Sequence, residues 1–185
     1  MVGGDLLNFK RIFLILIIIA LVCGCAQHTQ NAGKNVSNNA TIKNSSVANL
    51  LPEKLMGMHK LVALKGENAL SFVKKSHRGP IKYVKDIALV HYIGNSSMMI
   101  VWLTEYPSAK IAGNQTLLMV KGMEKYGSVW SHVNKTKLGN LSVYYVPGKN
   151  QYFFYKDKYV VYLIPVNMSG AEIMHFAKEI YDRLP

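Results

Sequence analysis

The clearest hydrophobic pattern lies at the C-terminal end of the chain. Ile173, Phe176, Ala177, Ile180, Tyr181 and Leu184 recur at i, i+3, i+4, i+7, i+8 and i+11, the rhythm of one buried helical face. Two earlier segments predict helices. One opens at Gly66-Glu67-Asn68, presents Ala69, Leu70, Phe72 and Val73, and stops at Gly79-Pro80. The other opens at Pro107-Ser108 and runs to about Tyr126 before Gly127, with Gly113 as its weak point. Residues 60–65, 82–93 and 98–104 are rich in β-formers, and Gly94-Asn95-Ser96-Ser97 joins the last two as a hairpin. After Val129 the segments 141–146, 151–156 and 159–166 read as a meander with turns at Gly139-Asn140, Pro147-Gly148 and Asp157. The order predicts an α+β fold: an antiparallel sheet with helices packed on one face. Residues 87–103 and 141–163 share an apolar-aromatic strand, a turn and a return strand, which suggests a duplicated helix-hairpin unit.

The N-terminal pattern differs. Lys10 and Arg11 precede an unbroken apolar run from Ile12 to Val22, the layout of a signal peptide over residues 1–24. Even extended to Ala26 the run is 15 residues, against the ~20 a helix needs to span a bilayer. Residues 25–49 are mostly Asn, Ser, Thr, Ala and Lys with few large apolar side chains, a flexible tether leading into a single domain at 50–185. Val22-Cys23-Gly24-Cys25 resembles the lipobox of prokaryotic lipoproteins, in which a small residue precedes a cysteine that is lipidated and becomes the mature N-terminus. The sequence departs from that pattern at Cys23, where Ala, Ser or Thr is usual, and at Val22, where Leu is commonest. The resemblance implies that Cys25 is the modified residue, because Gly24 supplies the small side chain before the cleavage point. An uncleaved signal anchor is the competing reading, and both put the domain on the outer face of the membrane.

The tether carries Asn-x-Ser/Thr acceptors at Asn35, Asn39 and Asn44, and the domain carries five more, at Asn95, Asn114, Asn134, Asn140 and Asn167. Eight of the 14 asparagines fit the rule, although Ser and Thr make up only 17 of 185 residues, so chance placement gives about one or two. Asn and Ser also gather in turns for backbone reasons, as at Gly94-Asn95 and Gly139-Asn140. The excess favours N-glycosylation, and together with the lipobox-like leader it points to an archaeal cell surface.

Charge and cysteine usage narrow the partners. With 22 Lys+Arg against 10 Asp+Glu the net charge is +12, which suits a phospholipid surface, an acidic polysaccharide or nucleic acid. Nucleic acid is set aside: the only arginines are Arg11, Arg78 and Arg183, and no helix-turn-helix, zinc-finger or RNP pattern occurs. Cys23 and Cys25 are the only cysteines. The domain therefore has no internal disulfide, Cys-ligated metal or Cys nucleophile.

Motifs for catalysis are sparse. No Gly-x-Ser-x-Gly elbow is present, and Glu67, Asp86, Glu105, Glu124 and Asp157 carry no carboxylate-pair motif. His59, His77, His91, His132 and His175 show no paired metal-binding spacing, so no metal site or cofactor is assigned, although Met56-Gly57-Met58-His59 has ligand types suited to Cu(I). Aromatic residues crowd the meander. Alternation puts Tyr152 and Phe154 on one face, and the candidate binding face is Tyr145, Tyr152, Phe154 and Lys156, amphipathic rings beside a lysine suited to a sugar or a peptide. Aromatic cross-strand pairs, or a second helix layer, explain the same residues without a ligand. The expected function is a membrane-anchored surface lipoprotein whose non-enzymatic domain binds a polysaccharide or another envelope protein, or has a structural role. A solute- or metal-binding accessory subunit is the alternative, and a hydrolase comes third.

Overall fold

The structure is a computed structural model that describes residues 46–77 and 81–185. The leader, Cys25, Asn35, Asn39 and Asn44 lie outside the described residues. Lys43–Pro185 forms one compact unit with its own core.

Eight strands make one antiparallel sheet in the order β1-β2-β3-β4-β8-β7-β6-β5. They are β1 (Lys54–Leu55), β2 (Met58–Lys65), β3 (Asp86–Ile93), β4 (Met98–Glu105), β5 (Asn134–Leu138), β6 (Leu141–Val146), β7 (Gln151–Lys156) and β8 (Tyr159–Val166). Three helices accompany them: α1 (Gly66–Ser76), α2 (Ala109–Tyr126) and α3 (Gly170–Arg183). Each half of this unit contributes a four-strand meander, and the halves meet where β4 pairs with β8, Trp102 opposite Tyr162. The short β1 is an addition to the expected elements. A two-residue turn at Met56 and Gly57, both with positive φ, folds it back so that Leu55 faces Met58, the geometry that suits right-twisted hairpins.

The α+β class and the antiparallel sheet match the sequence pattern, with the helices shared between both faces rather than gathered on one. Ala88, Val90, Tyr92, Met99, Val101, Leu103, Val161 and Leu163 lie under α3, which contributes Ile173, Phe176, Ala177 and Ile180. The alternate residues Ile87 and Leu89 pack under Ala69 and Val73 of α1. Val160 meets Ala112 of α2, and Tyr144, Val146 and Phe153 meet its later turns at Met119, Val120 and Met123. The cause is visible in β3, where Ile87-Ala88-Leu89-Val90 is a continuous apolar run, the mark of a strand covered on both sides.

The ends of α2 and α3 follow local chemistry. The Ser108 hydroxyl accepts from the Ile111 amide at 3.3 Å, and Ser169 with Glu172 forms a reciprocal capping box at the start of α3. Gly113 of α2 faces the Tyr155 ring, where a Cβ would make an ordinary van der Waals contact at 3.6 Å.

Candidate functional site

The four residues of the expected aromatic face do share one face of the sheet, and that face lies beneath α3. Tyr145 and Tyr152 stack with ring centroids 4.5 Å apart. Phe154 has no exposed surface and meets Tyr181 of α3 edge-on at 6.1 Å. Lys156 turns its ammonium onto the C-terminal end of α3, donating to the carbonyls of Tyr181 at 3.2 Å and of Leu184. It also sits 5.1 Å over the Tyr181 ring. Tyr152 and Phe154 are buried, so the geometry here is cross-strand aromatic pairing under a helix with a lysine C-cap. Of the neighbouring lysines, Lys158 bridges to Glu105 at 2.8 Å, and Lys149 stands 5.1 Å over Trp130.

Met58 and His59 are successive residues of β2 and point to opposite faces. Met58 is buried in the core beneath α3 while Met56 is exposed on the β1–β2 turn, so the thioether and the imidazole do not converge. Three of the carboxylates have structural partners. Asp86 accepts from the Val47 amide at 2.7 Å and Glu124 from the Val133 amide at 2.7 Å. Glu105 lies between Lys85 and Lys158 at 3.0 and 2.8 Å. Burial pushes the Glu105 carboxyl up, but hydrogen bonds and charge from Lys158 and Lys85 outweigh that and hold it below the usual carboxylate range. The five acceptor asparagines of the domain are all exposed. Asn95 and Asn140 sit in hairpin turns and Asn134 opens the edge strand β5. Asn167, with φ 54°, donates to the Ser96 carbonyl at 3.0 Å. Asn114 alone lies inside a helix, and the hydroxyl of its partner Thr116 is buried and donates to the Ala112 carbonyl at 3.0 Å.

Surface features that sequence reasoning missed gather on the α1–α2 side. α1 and α2 leave part of that sheet face open. His91 is half-buried between Leu61 and Ile100, its cross-strand neighbours, and Leu61 and Ile93 are 53 and 44% exposed. Burial holds the His91 imidazole below its ordinary pKa of 6.5. Along the outside of α2, Lys110, Leu117, Leu118, Lys121 and Lys125 are all exposed. The signal was present in Leu117-Leu118-Met119-Val120, since a helix cannot turn four successive residues toward one sheet. The described depressions are shallow: one of about 320 Å³ lies beside β2 and one of about 280 Å³ between Leu138 and α3. Among the described residues no group of three or more His, Cys, Asp or Glu side chains could hold a metal, and no helix is long and apolar enough to cross a membrane. No protein-family model, curated protein or solved structure matches this chain.

Proposed function

We propose that the chain is an exported lipoprotein, anchored through Cys25 at the outer face of the cell membrane, whose α+β domain is a non-enzymatic binding or structural module. The observation that carries the reading is the leader: a Lys10-Arg11 start, an apolar stretch too short to span a bilayer and a lipobox-like Val22-Cys23-Gly24-Cys25. The density of Asn-x-Ser/Thr acceptors supports an exterior location, and the exposure of Asn95, Asn134, Asn140 and Asn167 outside the helices is compatible with their use. A domain without cysteine also fits, because a unit of this size with a continuous core can be stable without a disulfide.

The test is intact-mass and peptide spectrometry of the native protein from its host's membrane fraction. A mature chain beginning at lipid-modified Cys25, with sugar on the tether asparagines, is the expected result. An unmodified leader on a chain with bare asparagines would remove the lipoprotein assignment.

A further inference from the structure

The outer surface of α2 is a stripe that folding does not account for. Lys110, Asn114, Leu117, Leu118, Lys121 and Lys125 are all exposed, and helical geometry places them within an arc of roughly 100°. Leu117 and Leu118 are 50 and 58% exposed, in the middle of the lysines. Glu124, the one carboxylate at the stripe's border, is turned onto the backbone amides of His132 and Val133. At the C-terminal end of α2 the pattern continues with Tyr126 and Val129, 49 and 44% exposed, and with Lys149 over Trp130. The opposite layer is balanced: on α3, Glu172, Glu179 and Asp182 accompany Lys178 and Arg183, with ion pairs from Lys178 to Asp182 and from Arg183 to Glu179.

We propose that the α2 stripe docks the domain flat onto an anionic lipid surface, with Leu117 and Leu118 entering the headgroup boundary and Lys110, Lys121 and Lys125 meeting lipid phosphates. Apolar residues flanked by lysine, with aromatic rings at the margin, are what a helix lying in the interface plane requires. Each lysine brought to an anionic leaflet raises partitioning about fivefold, and the small leucine contact adds to this without making attachment irreversible. The membrane is supplied by the anchored-lipoprotein reading, on which the biological sense of the proposal rests. The described chain begins at Ser46 against the face opposite α2, where Val47 and Ala48 pack beside α3. A tether of roughly twenty residues, reaching about 65 Å when extended, is long enough to pass around three layers spaced about 10 Å apart. The docked stripe requires a bare Asn114. Its helical backbone and the buried hydroxyl of Thr116 are consistent with an acceptor that is not used.

The experiment uses the fragment Lys43–Pro185, which carries its own core and lacks the leader, so its outcome does not depend on lipidation. Co-sedimentation is measured with phosphatidylcholine vesicles, with and without about one-third phosphatidylglycerol, at low and physiological salt. The expected result is binding to the anionic vesicles that weakens with salt, falls at least tenfold in Lys121→Glu/Lys125→Glu, falls severalfold in Leu117→Ser/Leu118→Ser and is unchanged in Lys178→Glu on α3. These are exposed positions, and a circular-dichroism melt confirms that each variant is folded. Equal binding to both vesicle types, or none, overturns the proposal, as does an α2 charge reversal without effect. Binding to an acidic polysaccharide that the α2 variants abolish while vesicles are ignored overturns the lipid assignment, and a glycan on Asn114 of the native protein overturns the docking itself. None of these results bears on Cys25, whose lipidation the mass spectrum decides separately.

Discussion

Replacing Lys156 by methionine distinguishes a helix-capping lysine from one that awaits a ligand. Methionine keeps the unbranched stem on the Tyr181 ring and removes only the ammonium, which lies 5.1 Å from that ring and donates to the carbonyls of Tyr181 and Leu184. The Tyr181 carbonyl belongs to the last turn of α3 and that of Leu184 to its C-cap, and neither has an amide of a following helical turn to accept from. A charge-assisted hydrogen bond contributes about 1.5–3 kcal/mol when well buried, and a cation at a helix C-terminus about 0.3–1 kcal/mol. Lys156 is half-buried, its two bonds share one ammonium, and the loss is not additive, so the expected cost is about 1–2 kcal/mol. Urea unfolding followed by far-ultraviolet circular dichroism should show the midpoint falling by about 0.5–1 M with an unchanged slope. Lys156→Arg should recover part of the difference. A change of less than about 0.3 kcal/mol, within the usual scatter for surface substitutions, would refute the argument and return Lys156 to the pool of free cations.

Glu105→Gln should flatten part of the acid limb of the stability curve. The carboxyl is held below its ordinary range in the folded state, so its contribution is present above the unfolded pKa, near 4.5, and is lost as pH falls through the folded value. Midpoints of wild type and variant should therefore differ at pH 7 and converge near pH 2. His91→Leu should act in a higher window: the folded imidazole favours the neutral form, so wild type loses stability as pH drops below 6.5, and the variant should lose less across that step in urea midpoints at pH 7.5 and 5. Gly148→Ala should destabilise by about 1–3 kcal/mol, because the new Cβ would stand 2.5 Å from the Val129 carbonyl oxygen, against backbone that must move. A melt unchanged from wild type would contradict that contact. Phe176→Ala removes a ring with no exposed surface from the centre of the core, and a thermal or urea melt should report about 3–5 kcal/mol.

Elements with a strong local signal were legible. The rhythm from Ile173 to Leu184 marks α3, with Ser169 and Glu172 forming the capping box at its start, and Gly94-Asn95 marks the hairpin turn between β3 and β4. What depends on distant pairing was not. Nothing local shows that β4 and β8 are neighbours, and that pairing sets β1–β4 and β5–β8 side by side in one sheet. A two-fold relating antiparallel β4 and β8 stands perpendicular to the sheet and leaves each face in place, and α1 and α2, the helices that precede the two hairpins of the suggested duplication, lie on the same face. The aromatic strands were equally ambiguous: alternation placed Tyr152 and Phe154 together, but which face a helix would cover depended on where α3 returned.

The interlocking of the two halves also separates the folding role of α2 from the rest of its surface. This helix follows β4 of the first half yet packs on β6, β7 and β8 of the second, while Phe176 of α3 reaches back to Tyr92 of the first, ring centroids 5.2 Å apart. Both helices thus tie distant strands together, and the inner side of α2 is specified by that duty: Ala112 and Thr116 are fully buried and Gly113 lies on Tyr155. The outer side has no such constraint. A solvent-facing turn at positions 117 and 118 could carry any good helix-forming polar residue at no cost to the core. Two adjacent leucines there, more than half of one and half of the other open to water and set among lysines, run against the preference for a wetted surface. Single exposed apolar residues need no explanation. A leucine pair in register with Lys110, Lys121 and Lys125, on a helix whose one acid is Glu124, is the arrangement that the proposed anionic lipid partner would use.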